Sequence, residues 1–179
     1  RPDGSYTVAI SGRAVLEVTP KGIRFFPQFL PQFIQRLKAV QLTVGSSFFT
    51  GPDSLGAMIS DDPLIFEKTR VLDPAPSARL VKEMMKNVRE TWPDQTFTID
   101  HSWGAYVDCT PDAVPVISTV DALGGLVVAA GSSGHGFGLG PGIATLAVEL
   151  ARNDPTSVDA VPFRLSRFAG GEAIEVGPI

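Results

Sequence analysis

Apolar residues recur at helical spacing in three stretches of the chain, and each stretch predicts a helix with one apolar face. Within residues 25–42 the set is Phe29, Leu30, Phe33, Ile34, Leu37 and Val40. Pro31 suits the start of that helix, where its missing N–H costs little. Leu80, Val81, Met84, Met85 and Val88 line a second helix, opened by Ser77 as N-cap and running to about Thr91, before Pro93 stops it. Ile143, Leu146, Ala147, Leu150 and Ala151 line a third. Elsewhere the pattern is extended. Tyr6–Ile10 reads as a strand within an extended stretch reaching Val18, residues 96–109 read as extended, and Val114–Ile117 as a short strand. Residues 43–76 read as loops with short extended pieces such as Leu64–Phe66. Phe163–Phe168 is a last apolar piece. Gly125–Ala130 is a continuous apolar run, as expected of a strand buried on both faces. Phe25, Phe26, Phe29, Phe33, Phe48 and Phe49 crowd one region and read as core packing.

Composition adds limits. The chain has 179 residues, 44% hydrophobic and 19% charged, which suits one domain or part of a larger one and is too apolar for disorder. Its 18 Gly and 15 Pro predict a turn-rich α/β or α+β protein. A net charge of −4 gives the whole chain no footprint for nucleic acid or an anionic membrane. No apolar run is long enough to span a membrane and no basic-then-apolar segment opens the chain, so a cytoplasmic location is expected. One cysteine, Cys109, excludes an intrachain disulfide, and with only His101 and His135 beside it no metal site is expected. Arg1-Pro2-Asp3-Gly4-Ser5 reads as a turn. Such a turn usually joins two strands, so the chain opens either as a free loop or halfway through a hairpin.

The most informative segment is Gly131-Ser132-Ser133-Gly134-His135-Gly136-Phe137-Gly138-Leu139-Gly140-Pro141-Gly142, in which six of twelve residues are Gly. It lies between the apolar strand and the third helix. Glycine lets backbone N–H groups approach a ligand closely. A helix start adds unpaired N–H groups and the positive end of a dipole. Together they favour an anion, or a carbonyl oxygen gaining negative charge. No Asp or Glu stands in Gly142–Thr145, the expected first helical turn. Leu139 and Pro141 break a G-x-G-x-x-G reading, the phosphate-loop Gly-Lys-Ser/Thr is absent, and His135 spoils a G-x-S-x-G elbow. His135, among the glycines, is a candidate functional residue. His101 reads as an ordinary strand residue. Two function classes fit these residues: an enzyme, or a non-catalytic subunit or phosphate- or nucleotide-binding module using the Gly-rich loop.

The Gly131–Gly142 loop, preceded in order by Trp103-Gly104, Thr110-Pro111-Asp112 and Pro115-Val116-Ile117, resembles the flavin loop near the carboxy end of amine and amino-acid oxidoreductases of the D-amino-acid oxidase superfamily. The resemblance covers residues 96–152, and Arg1-Pro2-Asp3-Gly4 is similar to that family's substrate-domain hairpin. It implies an α/β (α+β) fold, the carboxy-terminal part of a two-domain enzyme. Residues 1–109 are then part of an antiparallel-sheet substrate-binding domain. Residues 110–179 supply the last strand, Gly loop and helix of the FAD-binding domain. It also implies FAD and oxidation of the C–N bond of an amine or amino acid, with hydride passing from the α C–H to the flavin. Gly131, Ser132, Ser133, Gly134, His135, Gly136, Phe137, Gly138 and Leu139 are the cofactor-binding residues so implied, with contacts mainly through Gly134–Leu139 amides. Tyr106, between the Trp-Gly and Thr-Pro-Asp markers, falls on the substrate side, and His135 is a second catalytic candidate. In the sarcosine-oxidase group a Cys five residues before the Thr of Thr-Pro-Asp links the flavin. Here that position is Ala105 and Cys109 is offset, so FAD is expected to be noncovalent. Gly138 stands where the same group often has Lys, which leaves oxidase and dehydrogenase both open. The amino-terminal G-x-G-x-x-G is absent, so the partner expected is an amino-terminal FAD-binding polypeptide of the same enzyme, this chain being a processed chain or fragment.

Overall fold

The computed structural model describes residues 1–10, 12–60, 64–68, 70–169 and 174–177. The chain divides into two compact units, residues 1–24 with 36–106, and residues 25–35 with 107–179. The class is mixed α/β, with two small sheets among the described residues.

In the first unit, β1 (Ala14–Glu17) pairs in parallel with β2 (Val40–Thr43), from Ala14 opposite Val40 to Glu17 opposite Thr43. Parallel neighbours need a long crossover, and helix α1 (Pro20–Gln35), whose residues 25–35 belong to the second unit, lies between them in sequence. α1 starts eleven residues before the predicted Pro31. Thr19 accepts the Gly22 N–H on its hydroxyl at 3.0 Å and Pro20 fills the first helical position, so the true start signal is Thr19-Pro20. Pro27 and Pro31 sit inside the helix, four residues apart and therefore on one face. Val40, read as a helix residue, belongs to β2. No α1 residue is fully buried, and Phe49 is 74% exposed, so the phenylalanine cluster is not core within this structure.

α2 (Leu55–Ile59) is capped by Ser54, and α3 (Ile65–Lys68) replaces the extended piece predicted at Leu64–Phe66. α4 (Ala78–Thr91) follows its prediction closely. Ser77 accepts from the Leu80 N–H, Trp92 closes the helix just before Pro93, and Val88 is buried. Tyr6–Ile10 forms no strand. The Arg1–Gly4 turn does form, with the Gly4 N–H on the Arg1 carbonyl at 3.0 Å. The residues after it find no ladder partner among the described residues, and Tyr6 makes an edge contact with Phe97. Residues 96–109 likewise carry no ladder.

In the second unit β3 (Val116–Thr119) and β4 (Val127–Ala130) form an antiparallel pair, Val116 opposite Ala130. Helix α5 (Gly136–Arg152) packs on both strands. Among the described residues Val116, Ile117 and Leu146 are buried apolar side chains here, beside the buried Pro111 and Pro115. β4 is not covered on both faces: its residues are half-buried or exposed, and β3 is its one neighbour among the described residues. Asn153, in the left-handed region at φ +56°, ends α5, its N–H meeting the Glu149 and Leu150 carbonyls. The apolar piece at Phe163–Phe168 forms two 3-10 helices, Val161–Phe163 and Leu165–Phe168. Among the described residues no helix is long and apolar enough to cross a membrane.

Candidate functional site

The Gly-rich segment splits into two parts. Residues 131–135 are the loop, and α5 already begins at Gly136, six residues earlier than the apolar spacing predicts. The loop needs unusual backbone at three positions, Gly131 (φ +74°), Ser133 (φ +51°) and Gly134 (φ +88°). Glycine meets that demand at two of them. Ser133, with a Cβ, is held there by its surroundings.

Those surroundings come from residues 108–114. The Asp108 carboxylate accepts the Gly131 N–H at 2.7 Å, and the Asp108 carbonyl accepts the Ser133 N–H at 2.9 Å. The Ser133 hydroxyl, buried, donates to the Gly131 carbonyl at 3.2 Å and accepts the Thr110 N–H at 3.3 Å. Thr110 donates its hydroxyl to the Val114 carbonyl at 2.8 Å. Space is equally tight. A Cβ on Gly131 would stand 2.3 Å from Thr110 Cγ2. The Thr110–Asp112 turn closes with the Ala113 N–H on the Thr110 carbonyl at 3.1 Å, as the sequence predicts.

At the end of the loop, His135 donates its backbone N–H to the Ser132 carbonyl at 2.8 Å, and its carbonyl accepts the Leu139 N–H at 3.1 Å. The amides of Gly136, Phe137 and Gly138 have no acceptor among the described residues, as expected for a first helical turn. That turn carries no acidic residue, and the His135 side chain does not cap it. Phe137 is fully exposed, and Gly134 and His135 are exposed. A Cβ on Gly138, Gly140 or Gly142 would meet nothing within 4 Å, whereas one on Gly136 would stand 3.2 Å from Ser132 Cβ. The open ground therefore lies beside Gly138 and beyond. Gly136 is tight against its own chain.

The predicted cofactor residues thus divide by role. Gly131 and Ser133 are buried and shape the loop, Ser132 is half-buried, and Gly134 to Leu139 hold the exposed turn with the unpaired amides. Tyr106 ends the first unit and is 57% exposed. His101 is no strand residue; its ring stacks on Trp103 at 5.7 Å. Asp108 and Arg167 carry no signal in the sequence, whereas Thr110 stands in the Thr110-Pro111-Asp112 turn that the sequence marks. Arg167 pairs with Asp112 and also donates to the Val114 carbonyl at 2.7 Å. Burial pushes the Asp112 carboxyl up, but the Arg167 hydrogen bond, the Val114 N–H, the Arg167 charge and Thr110 together hold it below its ordinary range.

Stretches of the chain are similar to known proteins. Residues 60 long align at 40% identity with the peroxisomal sarcosine oxidase of Mus musculus, over 34% of this chain and 15% of that protein. A stretch of 69 residues is 36% identical to the N-methyl-L-tryptophan oxidase of Salmonella dublin, over 38% of this chain and 18% of that one. Among solved structures, the L-amino acid deaminase from Proteus vulgaris superposes with a TM-score of 0.71 at 22% identity, covering 87% of this chain and 36% of that chain. The deaminase from Proteus myxofaciens, in complex with anthranilate, gives 0.71 at 20% identity, covering 86% and 34%. The two deaminases share the fold, and this chain spans about a third of their length. The family model described as DAO, FAD dependent oxidoreductase, matches residues 17–150, and the chain belongs to that family.

Proposed function

We propose that residues 131–139 and the start of α5 bind the isoalloxazine end of FAD, noncovalently, in an enzyme that oxidises the C–N bond of an amine or amino acid. One observation carries the reading. Three unpaired amides, on Gly136, Phe137 and Gly138, stand at the positive end of a 17-residue helix with no protein carboxylate in the turn. Donors so arranged suit the edge of a ring that gains negative charge. The family's cofactor fits these residues, since the ground beside Gly138, Gly140 and Gly142 is free of other atoms within 4 Å. When bound, FAD supplies the two-electron acceptor. This chain's residues bind and orient. The loop amides hold the ring edge, His135 lies beside them, and Tyr106 stands on the substrate side. Ala105 offers no thiol for a covalent link.

Residues 110–179 then act as the carboxy-terminal part of the FAD-binding domain and residues 1–109 as part of the substrate-binding domain. The cut between residues 106 and 107 supports that division, residues 25–35 excepted. An amino-terminal polypeptide of the same enzyme supplies the rest of the cofactor site. β4, with a single neighbouring strand among the described residues, supports that expectation. The test is the visible absorbance of the natively purified protein, followed by anaerobic addition of N-methyl and L- and D-amino acids. Flavin bands bleached by one such class are expected. A colourless protein, or flavin bands that none of them bleaches, contradicts the proposal.

A further inference from the structure

We infer that Asp108 is the positioning residue of the flavin loop, an inference that rests on the flavin reading above. The loop has to lead into the three unpaired amides that open α5 while its own backbone stays in the left-handed region at Gly131, Ser133 and Gly134. Left-handed backbone at a non-glycine residue persists only where the surroundings over-determine it. Asp108 supplies two of the fixings from one residue. Its carboxylate takes the N–H of Gly131, the first loop residue, at 2.7 Å. Its carbonyl takes the N–H of Ser133, the strained one, at 2.9 Å. The residues between these anchor points, 131–133, are thereby laid along residues 108–110, and the Ser133 hydroxyl completes the strap through the Thr110 N–H at 3.3 Å. The Ser132 carbonyl, carried on the strap, accepts the His135 N–H and so sets where α5 begins. Asp108 makes no ion pair among the described residues, so its carboxylate serves the backbone alone. A charged acceptor on a backbone N–H is among the stronger hydrogen bonds a loop can have.

The chemistry separates two substitutions. Asp108→Asn keeps an oxygen that accepts the Gly131 N–H, while Asp108→Ala removes it. In the natively purified holoprotein, Asp108→Ala is expected to weaken FAD binding at least tenfold and to shift the visible flavin bands. Amide hydrogen exchange across residues 131–135 should quicken in the FAD-stripped protein. Asp108→Asn is expected to restore affinity, bands and exchange to within about threefold of the parent. An Asp108→Ala protein with parental affinity and bands overturns the inference, as does an Asp108→Asn protein damaged as badly as the alanine variant. Absence of FAD from the parent protein overturns the flavin reading instead, and the exchange comparison between the two variants still decides whether Asp108 sets the loop.

Discussion

The Arg167 guanidinium grips the Asp112 carboxylate at two points, Nε to Oδ2 at 2.6 Å and Nη2 to Oδ1 at 3.2 Å. Only 16% and 11% of the two side chains are exposed. The pair ties the 3-10 helix Leu165–Phe168 to the turn that leads into β3, and the Arg167 ring-face contact with Phe168, at 4.2 Å, steadies the arginine. Asp112 also accepts the Val114 N–H at 3.0 Å, so the same carboxylate fixes the turn from within.

Removing one partner of that pair leaves the other charge shielded from water. Asp112→Ala is expected to cost about 2–4 kcal/mol. The Asp112 carboxyl is held below its unfolded value, so its contribution is present above the unfolded value and is lost as pH falls through the folded one. Melting temperature against pH checks this. The advantage of the parent over Asp112→Asn should be flat near neutrality and shrink below about pH 4. An advantage that grows on acidification contradicts the assignment.

Gly131 combines a φ of +74° with a Cβ position 2.3 Å from Thr110 Cγ2. Gly131→Ala is therefore expected to destabilise by about 2–4 kcal/mol through strain and overlap together. Thr110→Ser removes the Cγ2 methyl and keeps the hydroxyl that serves Val114. In a double-mutant cycle by urea denaturation, the serine background should recover the steric share and leave the backbone share. Strict additivity contradicts the contact.

Gly136 and Gly138 differ in what lies around them. Gly138→Ala, in open space within a helix, should stabilise the FAD-free protein by about 0.5–1 kcal/mol. Gly136→Ala presses on Ser132 at 3.2 Å and should yield no such gain. Calorimetric melting of the two variants distinguishes them. Equal gains contradict the packing at Ser132.

Ala105 and the offset Cys109 predict that acid or heat releases all the FAD into the supernatant, and that Cys109→Ser keeps its flavin. Flavin fluorescence left on the denatured polypeptide contradicts this.

Local signals were legible in the sequence wherever the partner lies within a few residues. Ser77 caps α4 through Leu80, three residues on, and the Thr110 turn closes on Ala113. The apolar face of α5 was visible because Leu146 and its neighbours repeat at helical spacing. Pattern failed where long-range pairing decides. Tyr6–Ile10 has strand chemistry but no partner strand among the described residues, and Val40 pairs with Ala14 instead of continuing the helical pattern. The early start of α5 was hidden by glycine, a residue that reads as loop yet here occupies helical positions from Gly136. Asp108 and Arg167 gave no signal, because their partners lie 23 and 55 residues away in sequence.

The first-turn amides of α5 are proposed to meet the flavin. Hydrogen exchange by mass spectrometry, comparing the FAD-loaded with the FAD-stripped protein, tests it directly. Unpaired amides at Gly136, Phe137 and Gly138 are expected to exchange fast without the cofactor, and peptides spanning residues 134–139 to be markedly protected when FAD is bound. FAD binding that protects other segments and leaves residues 134–139 unchanged contradicts it.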